Sequence, residues 1–126
     1  MARILLVEDE PLISAMTEDW LADLGHSVVG PARDLRGGLR LAETEIDAAI
    51  VDLSLGRESA YPIADVLIAR SVPFAFATGY GPDTLKTDYR GLPTLSKPFE
   101  FDGFRRMLEI LLTKKSAAPE GKAPPS

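Results

Sequence analysis

Apolar and polar positions follow two periods along the chain. Runs of mostly apolar residues fall at 3–7 (Arg-Ile-Leu-Leu-Val), 27–30, 48–53, 72–77 and 92–96, each bounded by charged residues, glycine or proline. Runs of this length with β-branched members read as strands, and the more continuous ones as strands buried on both faces. The second, Ser27-Val28-Val29-Gly30, is expected to stop at Pro31. Between the runs the period changes to that of a helix. Leu12, Ile13, Met16, Trp20, Leu21 and Leu24 recur behind Pro11, with Gly25 as the C-cap, so Met16 and Trp20 are expected in the core. Residues 34–44 predict a second helix, which Gly37-Gly38 weakens, and residues 61–70 a third with Pro62 in its first turn. Residues 83–89 form a short, weakly amphipathic stretch that reads as a further helix. The last helix is expected over 100–113, with Phe101, Phe104, Leu108 and Leu111 on one face and Lys114-Lys115 at its negative end.

Strand and helix alternate five times, which requires a parallel sheet with crossover helices on both faces. The expected fold is α/β, a flavodoxin-like five-stranded parallel sheet of order 2-1-3-4-5. In such sheets ligands sit outside the carboxyl ends of the strands, near the point where strand order reverses. That point lies between the first and third strands. Residues 1–115 are expected to form this single domain. From Ser116 onward the composition turns to Pro, Ala and Ser, and residues 116–126 are expected to be a disordered tail.

Composition removes several chemistries. Cysteine is absent, which excludes disulfides, thiolate metal sites and thiol catalysis, and a lone His26 rules out a histidine-rich metal site. His26 reads as a surface or edge residue. The net charge of −5 argues against non-specific nucleic-acid binding. No segment is apolar for long enough to span a bilayer, so a cytoplasmic protein without membrane insertion is expected.

The polar residues that stop the strands are chemically matched. The first strand ends at Glu8-Asp9, the third at Asp52, the fourth at Thr78 and the fifth at Lys97. Taken singly, Glu8-Asp9 could be charge at a helix N-terminus, Asp52 a turn cap, Thr78-Gly79 a turn and Lys97 a solvated lysine. Together they fall on one rim. Three converging carboxylates repel, and either a proton on one acid or a divalent cation relieves them. Oxygen-only ligands favour Mg²⁺, with Mn²⁺ as the alternative. With the cation and Lys97, the empty site would be neutral and ready for a phosphoryl group.

These residues carry a resemblance. Leu5-Leu6-Val7-Glu8-Asp9-Glu10, Ile50-Val51-Asp52-Leu53, Thr78-Gly79 and Lys97-Pro98-Phe99 resemble the motifs of the bacterial two-component response-regulator receiver domains, over residues 2–114. Pro73-Phe74-Ala75-Phe76-Ala77-Thr78-Gly79-Tyr80-Gly81 resembles the narrower FATGY-type group of stand-alone receivers. The resemblance implies that Asp52 is the phosphoacceptor, receiving its phosphoryl group from a histidine kinase or phosphotransfer protein. It implies that Asp9, Asp52 and the backbone carbonyl of Ser54 hold Mg²⁺, with Glu8 assisting. Thr78, the Gly79 backbone and Lys97 would bind the phosphoryl oxygens, and the Lys97–Pro98 bond would be cis.

The chain departs from that pattern in three places. Glu8-Asp9 stands where many receivers have two aspartates, and Ser54-Leu55-Gly56 replaces a Met-Pro-like pair after the acceptor. Thr94 occupies the position of the usual switch aromatic, three residues before Lys97, which leaves Tyr80 as the switch candidate. The expected function is a single-domain response regulator that is not a turnover enzyme. It would signal to an unknown output protein or act as a relay or phosphate sink, and the FATGY-type resemblance implies general stress signalling. The alternative is a phosphorylation-independent pseudo-receiver. A Mg²⁺-dependent phosphohydrolase would want a general acid where Ser54 stands, and a flavodoxin a Ser/Thr-rich loop where Glu8-Asp9-Glu10 stands.

Overall fold

The computed structural model describes residues 1–81 and 84–121, those from 115 onward by backbone alone. Its elements are β1 (Arg3–Val7), α1 (Pro11–Asp23), β2 (Ser27–Ala32), α2 (Leu35–Ala42), β3 (Ala48–Asp52), β4 (Ser54–Leu55), β5 (Glu58–Ser59), α3 (Tyr61–Ala69), β6 (Phe74–Thr78), a 3-10 turn (Thr87–Tyr89), β7 (Thr94–Ser96) and α4 (Phe101–Gly121). Five strands make one parallel sheet in the order β2-β1-β3-β6-β7. With the short β4–β5 ribbon set aside, this is the expected 2-1-3-4-5 arrangement.

Period-two alternation divides the core. Leu5, Val7, Ala49, Val51, Phe74 and Phe76 face Ile63 and Leu67 of α3 and Ala42 of α2. Their neighbours Ile4, Leu6, Ala48, Ile50 and Ala75 face Leu21 of α1 and Phe104, Leu108 and Leu111 of α4. Every residue of β3 and β6 is buried, which is why both read as unbroken apolar runs.

Several expectations need correction. β2 continues through Pro31 to Ala32 because it is an edge strand: the register slips between Leu5 and Val7, and Ala32 then accepts the Glu8 N–H at 2.9 Å. Gly30 stands at φ +103, where a Cβ would meet the Ala32 nitrogen at 2.7 Å. In α1, Leu12 points to solvent while Ser14 and Thr17 are buried. Both hydroxyls are satisfied within the helix, Thr17 donating to the Ile13 carbonyl and Ser14 to Glu18. Trp20 and Met16 are only half-buried; Trp20 packs against Phe99, Phe101 and Phe104.

Gly38 does not break α2. It lets α2 close onto α3, where a Cβ would stand 2.4 Å from Ile63 Cδ1, and Asp34 caps the helix by accepting the Gly37 N–H at 2.8 Å. The expected helix over 83–89 is reduced to the 3-10 turn, with Asp83 outside the described residues. That segment is held by side chains: the Tyr61 hydroxyl accepts the Lys86 N–H at 2.9 Å, Tyr89 donates to Asp65 at 2.7 Å, and the two tyrosine rings lie 4.3 Å apart. α4 runs beyond the expected end at 113 to Gly121, through Ser116-Ala117-Ala118, where alanine favours helix. The rest of the expected tail, 122–126, lies outside the described residues. No helix among the described residues is long and apolar enough to cross a membrane.

Candidate functional site at the carboxyl rim

Backbone pairing extends past the strand ends and fixes each polar residue. Glu8 is tied to Ala32, Leu53 donates to the Ala77 carbonyl at 2.9 Å, and Lys97 donates to the Thr78 carbonyl at 2.8 Å. The rim is therefore the continuation of a rigid sheet. The Lys97–Pro98 peptide is cis. These residues border an open cleft of about 350 Å³, lined by Asp9, Glu10, Asp52, Ser54, Gly56, Thr78, Gly79, Tyr80 and Lys97.

Lys97 Nζ reaches Asp52 Oδ2 at 3.0 Å, Glu8 Oε1 at 3.2 Å and Glu10 Oε1 at 3.5 Å. Glu8 Oε2 also accepts the Glu10 N–H at 3.1 Å. Asp52 Oδ1 lies 3.3 Å from the Ser54 N–H, and Asp9 Oδ2 accepts the Gly56 N–H at 2.9 Å. Thr78 is buried, and its Oγ1 accepts the Tyr80 N–H at 3.1 Å, while the Tyr80 side chain is 81% exposed. Among the described residues, no buried side-chain nitrogen or oxygen lacks a hydrogen-bond partner.

Burial pushes the Asp52 carboxyl up to about 7; the Lys97 hydrogen bond pulls it back and the charge on Glu8 pushes it further up. Burial works against the Lys97 ammonium, yet Asp52 and Glu8 outweigh it and hold Lys97 above its ordinary range. Near neutral pH the cluster therefore exchanges a proton readily, and a cation would take that proton's place.

Carboxylate oxygens of Glu8, Asp9 and Asp52 lie within 4.8 Å of one another. Six oxygens at Mg²⁺ distances stand about 3.0 Å apart when adjacent and about 4.2 Å when opposed, so a small contraction would bring these into range. The donor set fits a hard divalent cation. An apolar groove of about 230 Å³ lies away from this rim, among Ile68, Pro73, Leu92, Pro93 and Leu111, and among the described residues no cluster of acids borders it.

SdrG from Sphingomonas melonis Fr1 shares this fold: it is 45% identical, superposes with a TM-score of 0.77, and the match covers 89% of this chain and 97% of SdrG. The chain belongs to the response-regulator receiver domains. A BeF3-activated conformation of SdrG matches this receiver similarly, at 46% identity and TM-score 0.73 over 87% of this chain and 95% of that one. The receiver domain of the sensor histidine kinase PA1611 from Pseudomonas aeruginosa PAO1, solved with magnesium in its active-site cleft, is 27% identical with a TM-score of 0.74, over 89% and 98% of the two chains. The phyllosphere-induced regulator PhyR of Methylorubrum extorquens is 33% identical over 104 residues, 78% of this receiver. This receiver spans only 39% of the length of that PhyR. No protein-family model matches the chain.

The rim brings together all the residues that the strand ends single out: Glu8, Asp9, Asp52, Thr78 and Lys97. Two contributors escape a reading of strand ends. Glu10 adds a carboxylate to Lys97 from the start of α1, and Gly56 reaches Asp9 from the ribbon. A signal for the second exists in the sequence, since Gly56-Arg57 puts glycine first in a two-residue loop between Ser54-Leu55 and Glu58-Ser59, a hairpin pattern.

Proposed function

We propose that this receiver is a phosphoacceptor, and that Asp52 accepts a phosphoryl group from a histidine kinase or phosphotransfer protein. The observation that carries the reading is a buried carboxylate at a strand end, bonded to a lysine at 3.0 Å and opening onto a cleft that a buried threonine also lines. An oxygen of Asp52 attacks phosphorus, the bond from phosphorus to the donor's imidazole nitrogen breaks, and that nitrogen keeps the electron pair. Asp9, Asp52, the Ser54 carbonyl and Glu8 would hold Mg²⁺, which when bound supplies charge neutralisation to the phosphoryl oxygens. The magnesium-bearing cleft of the PA1611 receiver and the BeF3-activated form of SdrG support this assignment.

Lys97 compensates the acids before transfer and pairs with a phosphoryl oxygen after it. Thr78 turns its hydroxyl from the Tyr80 N–H to a phosphoryl oxygen, with the Gly79 backbone beside it. That exchange frees the Tyr80 loop and makes Tyr80 the element that a partner senses. The protein then signals by contacts or passes the group on, as a cytoplasmic regulator and not a turnover enzyme. General stress signalling is the setting that the FATGY-type motif favours.

Incubation with acetyl phosphate and Mg²⁺, followed by intact mass, tests the reading. One phosphoryl adduct on wild type, absent from Asp52→Asn and absent when a chelator is present, is the expected result. No adduct at saturating Mg²⁺ would leave the phosphorylation-independent binding module as the reading.

A further inference from the structure

The ribbon after the acceptor has a use that strand ends do not reveal. Ser54 pairs with Ser59 and Leu55 with Glu58, leaving Gly56-Arg57 as the turn. Leu55 is buried in the core, and at the base the Ala60 N–H donates to the Leu53 carbonyl at 2.9 Å, so the ribbon is anchored at its root. Gly56 stands at φ +65, where a side chain is strained although a Cβ would meet nothing within 4 Å. The backbone conformation, not space, calls for glycine. In that conformation its N–H points at Asp9, 47 positions earlier in the chain, at 2.9 Å.

Resting on the phosphoacceptor role of Asp52, we propose that Gly56 is a positioning residue for the metal site: its N–H fixes Asp9 by Oδ2 and leaves the other oxygen for the cation. Glu8 and Asp52 are held from within the cleft by Lys97, whereas Asp9 is held from across it by the ribbon. A carboxylate already bonded on one oxygen loses less rotamer freedom on ligation than a free one. Proline at this position could neither adopt φ +65 nor donate. Asparagine tolerates the left-handed region and keeps the N–H. Outer-shell partners of this kind change metal affinity by about 10-fold or more.

Amide hydrogen exchange on ¹⁵N-labelled wild type, without metal and saturated with Mg²⁺, tests the role directly. It is joined by Mg²⁺ titrations of Gly56→Asn and Gly56→Pro, each checked for an unchanged denaturation midpoint. The Gly56 amide is expected to stay protected in both states, with Mg²⁺ affinity retained in the Asn variant and about tenfold weaker in the Pro variant. Loss of Gly56 protection on Mg²⁺ saturation would show that the N–H competes with the cation, and would overturn the role even while Asp52 still takes a phosphoryl group. Equal Mg²⁺ affinity in the Asn and Pro variants would overturn it as well. Persistent protection and the Asn–Pro difference in a wild type that forms no adduct would leave the positioning role standing and remove the phosphoacceptor reading.

Discussion

Replacing Asp52 with Asn should stabilise the metal-free protein at pH 8 and have little effect at pH 4. The Asp52 carboxyl rises from 3.8 to about 7 on folding, with burial as the first cause. A raised acid binds its proton more tightly when folded, so wild-type stability falls as pH climbs from about 4 to about 7. About three pH units at about 1.4 kcal/mol each would give a cost near 4 kcal/mol above pH 7. Solvent screening in the open cleft reduces this to about 2 kcal/mol. Asparagine removes the ionisation and still offers an oxygen to Lys97, whose other partners, Glu8 and Glu10, remain. Urea denaturation of both proteins in chelator, at pH 4 and pH 8, reads the difference directly. A gain at pH 8 that shrinks at pH 4 and reverses when Mg²⁺ is added fits the account. Equal stability at both pH values, or a larger gain at pH 4, would refute it.

With Mg²⁺ held as proposed, proton and cation would compete for the same carboxylate, so Mg²⁺ affinity should weaken as pH falls below 7, by at most about tenfold per pH unit for one proton; calorimetry between pH 5 and 8 checks the slope. Gly38→Ala should destabilise by about 1 kcal/mol, since the added Cβ meets Ile63 Cδ1 in a closed core and overpacking outweighs helix propensity. Ile63→Val deletes that methyl, so in the Gly38→Ala background it should cost less than in wild type, and additive costs would contradict the contact. Tyr80→Ala should accept phosphate on Asp52 at the wild-type rate yet lose the difference in partner affinity between the two states. Unchanged partner binding in both states would remove Tyr80 as the sensing element.

The strands were legible because burial on both faces leaves an uninterrupted apolar signature, as in β3 and β6, and their parallel order follows from the helices between them. The convergence of Glu8, Asp52, Thr78 and Lys97 was legible for the same reason: a parallel sheet sends every carboxyl end to one rim. What escaped depends on partners distant in sequence. β2 passes Pro31 only because β1 slips its register, and Gly38 is explained by Ile63 on another helix. The ribbon completes its hydrogen bonding on Asp9. In α1, helical spacing favoured Leu12 over Ser14 and Thr17, but hydroxyls satisfied by their own helix are cheap to bury.

Lys97 closes a circuit whose other terminals, Glu8 and Asp52, arrive much earlier in the chain. During synthesis, β1 and β3 are complete well before the fifth strand emerges, so their acids meet without their counter-charge. A sheet halted at that stage would hold Glu8, Asp9 and Asp52 together with no lysine among them, and their repulsion would oppose the pairing of β1 with β3. The last strand therefore supplies more than an edge: it removes a penalty carried by the pairing of β1 with β3. Assembly of this domain should be all-or-none, with the first and third strands stably paired only once the fifth is in place.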